Sequence, residues 1–192
     1  MKLMTMLRWT QRFLFASGAC ILIYVAFVLI DAYIHQERDD QLLESLMHDK
    51  QVATSVMPAA QGLIGRLQIP RLGVALMVAE GVDPLTLRRG AGHIPGTALP
   101  GQPGNSGISA HRDTYFRALR NIKQQDLITI TTPLGDFLYR VVSTRVVDPS
   151  EYTVLDPGEK QILTLVTCYP FYFIGSAPSR FIVRAERVKN PS

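Results

Sequence analysis

The 192-residue chain contains only two cysteines, Cys20 and Cys168, and they form no C-x-x-C pair. No glycine-rich phosphate loop and no EF-hand loop occurs either. Nucleotide-loop, calcium-loop and zinc-ribbon readings therefore have nothing to stand on. Charge of one sign is scarce: the formal net charge is +4. The basic residues are interleaved with strand-like segments rather than gathered into a patch, so a nucleic-acid partner is not expected. Internal repeats and low-complexity tracts are absent. No cofactor or metal is expected. What the chain does have is a 47% share of apolar residues, enough for a sizeable core in one ordinary domain with additional segments.

Part of that apolar content is not core. Phe13 to Ile30 carries no charge, and extending it through Ile34 gives about the 20 residues a helix needs to cross a bilayer. Lys2, Arg8 and Arg12 precede it; Asp31, Glu37, Asp39 and Asp40 follow. The positive flank belongs on the cytoplasmic side. The expected order is a cytoplasmic N-terminus over 1–12, a single membrane anchor over 13–34 in contact with lipid, and everything after it outside the cytoplasm. The apolar run is long for a signal peptide, and no small-x-small site ends it, so it reads as an uncleaved anchor. Cys20 lies inside the run and reads as a membrane-buried small residue. Cys168 is then unpaired in a compartment where paired cysteines form disulfides. Such a thiol is either buried and inert or reactive.

Beyond the anchor, residues 35–62 read as a stalk and linker. Leu42, Leu43, Leu46 and Ala53 fall on one helical face, and "MPAAQG" (Met57 to Gly62) closes the segment. The main domain is expected over 63–192. "LIGRLQI" and "VALMVA" are strand candidates on either side of "PRLG". Asp83 and Pro84 open a helical turn as N-cap and first helical residue. The stretch from Gly92 to Gly107 is too rich in glycine and proline for regular structure. "SGISAH" is a strand ending at His111, and "DTYFRALRN" a turn or short helix. "DLITITT" and "DFLYRVVSTRVV" form a hairpin around "PLG". "ILTLVTC" and "RFIVRAERV" complete the strands. Many short strands with one or two helical turns predict an all-β domain, a small closed or nearly closed β-barrel.

A cysteine attacks as the thiolate, which needs an imidazole or a positive charge nearby. Two histidines are candidates: His111 at a strand-to-loop junction, and His93 within the glycine/proline stretch. Either also fits a histidine packed on a loop and bonded to backbone. Arg180 opens the strand after Cys168, and Arg184, four residues on, shares its face. Either arginine suits an oxyanion, and either also suits the surface of an edge strand.

"TLVTC" (Thr164 to Cys168), "GNSGISAHRDTYF" and "RFIVRA", in that order, resemble the nucleophile, histidine and arginine segments of the sortases, membrane-anchored cysteine transpeptidases of bacteria. The likeness spans about Leu63 to Val188. "GHIPGTALPGQPGN" and "CYPFYFIGSAPSRFIVRA" resemble the class D subgroup most. Ala110 departs from the glycine expected before the histidine. The resemblance implies a closed eight-stranded barrel. It implies Cys168 as nucleophile, His111 as the catalytic histidine and Arg180 as the arginine that stabilises the oxyanion or binds substrate. Thr167 would line the substrate site, His93 would fall outside the triad, and Arg184 would be structural. The implied partners are secreted proteins ending in an LPXTG-like sorting signal and an amine acceptor, either a peptidoglycan peptide or a pilin lysine. The implied location is the bacterial plasma membrane.

Two other cysteine enzyme classes act on cell walls. The L,D-transpeptidases place the histidine close before the cysteine, whereas here 168 − 111 leaves 57 positions. Papain-like peptidases place the cysteine first. A non-catalytic, membrane-tethered β-domain binding envelope components is the remaining alternative, with Cys168 inert.

Overall fold

A computed structural model of the chain describes residues 2–48, 62–173 and 175–188. Its first element is one helix, α1 (Lys2–His48). Within it Arg8–Ile30 is long and apolar enough to cross a membrane, and none of that window is buried against the rest of the protein. Anchor and stalk segments are thus continuous helix as far as His48. The linker expected over 57–62 lies, except for Gly62, outside the described residues.

The remainder is a ring of strands: β1 (Leu63–Ile69), β2 (Val74–Glu80), β3 (Ala91–His93), β4 (Gly104–Ser109), β5 (Leu127–Thr132), β6 (Gly135–Val147), β7 (Gln161–Tyr169) and β8 (Ser179–Arg187). They close in the order β1-β2-β3-β4-β7-β8-β6-β5, and β5 pairs back onto β1. The β2/β3 and β4/β7 pairs are parallel, and the other neighbours are antiparallel. Alternation builds the interior. In β5 Ile128, Ile130 and Thr132 point inward. Ile128 and Ile130 meet Leu67, Ile69, Val78, Ile108, Leu163, Leu165 and Val183 in one closed core. A short helix, α2 (Pro84–Arg89), is capped by Asp83 as expected: its carboxylate accepts from Leu85 N and Thr86 N, and Pro84 takes the first turn.

Two expectations are corrected. The glycine/proline stretch is not wholly irregular: Gly92 and His93 belong to β3, and β4 already begins at Gly104. Pairing with β2 and β7 supplies the bonds that local propensity does not favour. Strand β4 also ends at Ser109, two residues short of His111.

Candidate active site

Two parallel neighbours, β4 and β7, bring their C-terminal ends to the same end of the barrel. Leu163 and Leu165 of β7 point into the core, and Thr167 continues that inward row, 2% exposed. Side chains alternate along a strand, so Val166 and Cys168 lie on the outer face. Val166 packs there with Val147, Val154, Leu155 and Ile182 in a second, smaller apolar cluster. Cys168 itself is half-buried and unpaired.

The register places the other candidates. In β4/β7, Ser109 is opposite Val166, an offset of 166 − 109 = 57. Ala110 N donates to Val166 O at 3.4 Å, and Thr167 Oγ1 donates to Ala110 O at 2.8 Å. Ala110 is therefore held beside Thr167. The ladder ends at Ser109 and Val166; the same offset continued two residues past it, 168 − 111 = 57, leads from His111 to Cys168. His111 is exposed. On the other side of β7, Cys168 is directly opposite Arg180 of β8, which in turn is opposite Val147 of β6. Residues opposed in an antiparallel ladder have Cα atoms about 4.5–5.5 Å apart.

Arg180 Nη1 donates to Ser179 O at 3.1 Å and to Ala177 O at 3.3 Å. Asp148, just past Val147, is held below the usual carboxylate range. The Ser150 hydroxyl and N–H, donating to it at 2.6 and 2.9 Å, are the main cause, and the nearby Arg180 charge adds to them. Arg184 lies on the same face as Arg180 but opposite Thr164, about 13 Å further along the strand at the usual rise. His93 is 2% exposed. Its Nδ1 lies 2.7 Å from Glu80 Oε2, and its Nε2 lies 3.0 Å from both Ala98 O and Thr97 Oγ1. Both ring nitrogens are already occupied inside the fold.

Thr167 was expected to line the substrate site. It faces away from Cys168, into the barrel, with its hydroxyl committed to Ala110.

Residues with no clear signature in the sequence shape the outer face. Asn105 donates Nδ2 to Val154 O at 3.0 Å and to Asp156 O at 3.3 Å, and its Oδ1 accepts from Thr164 Oγ1 at 2.7 Å. It ties the connection between β6 and β7 onto the sheet. Gly107 leaves room for that connection: a Cβ there would lie 2.9 Å from Leu155 Cδ2 and 3.1 Å from Ile94 Cδ1. Among the described residues no His, Cys, Asp and Glu side chains cluster as they would around a metal ion.

A closed barrel that carries a half-buried, unpaired thiol at a strand end, beside an arginine, defines a β-barrel cysteine enzyme. A family model, Sortase domain, matches residues 67–188. The chain belongs to the sortase family, whose members are cysteine transpeptidases of the cell envelope. It is 31% identical to Sortase D of Bacillus subtilis (strain 168) over 190 residues, 92% of this chain and 96% of the relative. It is 26% identical to Sortase A of Staphylococcus aureus over 186 residues, 85% and 89%. Among solved structures, the Clostridium perfringens Sortase D5 transpeptidase superposes with a TM-score of 0.69 at 26% identity, covering 79% of this chain and 98% of that one. The Corynebacterium diphtheriae Sortase A lid mutant gives 0.65 at 28% identity, covering 79% and 96%. The resemblance read from the sequence, the class D likeness included, agrees with these matches.

Proposed function

We propose that this protein cuts an LPXTG-like sorting signal after its threonine and joins the released acyl group to an amine on the envelope or on a pilin. Cys168, His111 and Arg180 carry the chemistry. The observation that supports this most is the β7–β8 rung that pairs Cys168 with Arg180, with the Ala110–Val166 and Ala110–Thr167 bonds holding the segment that leads into His111 beside that strand.

The steps follow from those positions. The Cys168 thiolate attacks the threonine carbonyl carbon. The C–N bond breaks, and the departing amine takes a proton from the His111 imidazolium. A thioester remains on Sγ. The incoming amine gives a proton to His111 and attacks the thioester, and the C–S bond breaks to return the thiolate. Splitting one amide exchange into two easier steps is what covalent catalysis contributes. The Arg180 guanidinium, always charged and able to donate from several N–H groups, stabilises the oxyanion formed in each step. Half-buried Val166 and Leu155, backed by the buried Ile182, give the outer face aliphatic surface suited to the Leu-Pro half of the signal. Thr167 serves the site through Ala110 rather than by touching substrate.

On this reading residues 13–34 anchor the chain in the plasma membrane, with 1–12 cytoplasmic. Residues 35–62 form the stalk, and 63–192 form the extracytoplasmic catalytic domain. The test uses the full chain in detergent with an LPXTG-containing peptide and a panel of amines. Cleavage, transfer and a thioacyl adduct on Cys168 by mass spectrometry are expected, and Cys168→Ala should lose all three with an unchanged melting transition. Cleavage surviving in Cys168→Ala would overturn the assignment.

A further inference from the structure

The segment after β4 carries three arginines that the acyl-transfer steps do not use, and two of them, Arg112 and Arg120, reach the connection between β7 and β8. Arg112 directly follows His111. Its Nη2 donates to Phe173 O at 2.6 Å and to Gly175 O at 3.1 Å, and its guanidinium lies 5.9 Å from the centre of the Phe173 ring. Arg120 donates Nη1 to the Tyr172 hydroxyl at 2.6 Å and lies 5.5 Å over that ring. All these partners sit in the connection that leaves β7 just after Cys168 and enters β8 just before Arg180.

The far half of the same connection is held by Arg180, through Ala177 O and Ser179 O. Carbonyls at alternate positions are thus shared out: 173 and 175 go to Arg112, 177 and 179 to Arg180. The aromatic partners are no substitute for this tether, because Tyr172 is 76% exposed and Phe173 44% exposed. A guanidinium suits the task. One arm of its fixed fork, Nη2, has two N–H groups and reaches both carbonyls at once, and bonds from a charged donor are stronger than neutral ones.

We propose that Arg112 is a positioning residue for the transpeptidation: it latches the β7–β8 connection onto the segment that bears His111. It thereby holds His111 on one side of Cys168 and Arg180 on the other. The inference rests on the roles given above to those three residues. A link of this kind matters because catalytic groups misplaced by about 1 Å can cost on the order of 100-fold in rate. His111, one residue beyond the last braced position of its strand, has no strand pairing of its own to fix it.

The experiment compares wild type, Arg112→Ala and Arg112→Lys in the full chain. It reads peptide turnover, thermal midpoint and the pH dependence of Cys168 alkylation, resolved by residue so that Cys20 does not contribute. Arg112→Ala should lower kcat by about 10- to 100-fold, change the alkylation–pH profile toward that of His111→Ala, and leave the melting transition cooperative. Arg112→Lys keeps the charge and loses the fork, so it should fall between. A latch that is only structural would lower the midpoint and leave the alkylation profile as in wild type. That outcome, or wild-type kcat in Arg112→Ala, overturns the proposal. If Arg112→Ala does not fold, Arg112→Lys decides by the same profile. Alkylation needs no peptide, so a wild-type protein that turns over no peptide refutes the substrate while the latch is still tested. A His111→Ala profile identical to wild type would instead remove the histidine assignment and the latch with it.

Discussion

Cys168 and Arg180 occupy the same rung of the β7–β8 ladder. An antiparallel rung fixes two backbones at a set spacing, and so sets the sulfur and the guanidinium stem side by side on one face. Arg184 shares that face but is paired with Thr164. Arg180→Ala is therefore expected to lower turnover by about 100- to 1000-fold, the usual effect of removing one oxyanion donor. Arg180→Lys should recover part of the loss, and Arg184→Ala should cost little. Peptide-transfer kinetics on the three variants check this, and equal losses at the two arginines would refute the assignment of Arg180.

The two histidines should separate by readout. His111 is exposed at the end of the β4 register; His93 is buried between Glu80 and the backbone of the loop after β3. His111→Ala is expected to abolish transfer with little change in melting. His93→Ala should lower the melting temperature, because it leaves buried partners unsatisfied. A His93→Ala enzyme that is fully folded and inactive, beside an active His111→Ala, would reverse the assignment.

Thr167→Val keeps the shape of the side chain and deletes one bond, that from Oγ1 to Ala110 O. The expected stability loss is about 1 kcal/mol, typical of one buried hydrogen bond. Because Ala110 precedes His111, kcat should fall by more than the change in folded population explains. Chemical denaturation and steady-state kinetics measure the two effects. Wild-type kcat in a destabilised Thr167→Val would mean that the brace does not reach the histidine.

Acid sensitivity should centre on Asp126. Arg71 donates Nε to Oδ1 and Nη2 to Oδ2, each at 2.5 Å, and Lys123 N donates to Oδ2 at 2.7 Å. The Arg71 bonds are the main reason that this carboxyl stays below its ordinary range. A depressed folded-state pKa means that the stabilisation is fully present above the unfolded value, near about 3.9. It is lost as pH falls from there through the folded value. Asp126→Asn should therefore melt lower than wild type at neutral pH, with the gap closing in acid. A constant gap from pH 7 down to pH 3 would show that the charge is not what Asp126 contributes.

Much of this architecture can be read in the chain. β-branched alternation gives β5 and β6, and the Asp83-Pro84 step gives α2 its start. What could not be read depends on contacts distant in sequence. β3 is three residues long and exists because β2 and β4 pair with it on either side. Asn105, between two glycine-rich stretches, looks like a turn residue; it is a buried three-bond tie because Val154 and Thr164 come to it from elsewhere. Thr167 sits next to Cys168 in sequence and faces the opposite way, which the period of a strand does predict. Arg112 and Arg120 show no pattern at all in the sequence, since their partners lie about 50 to 60 residues downstream.

Because β5 returns to β1, the sheet has no outer strand left over. Proteins that hold extended peptides commonly do so by letting the guest join a sheet as one more strand, reading main chain before side chain. Only short overhangs remain for that route here, such as the end of β7 beyond β4. On the proposed function an extended guest lies mainly across the outer face of the sheet, beside half-buried Val166 and Cys168. Recognition then depends on what the guest's residues are rather than on its being extended. A closed ring has a second benefit: it offers other chains no full-length strand edge on which to pair and aggregate.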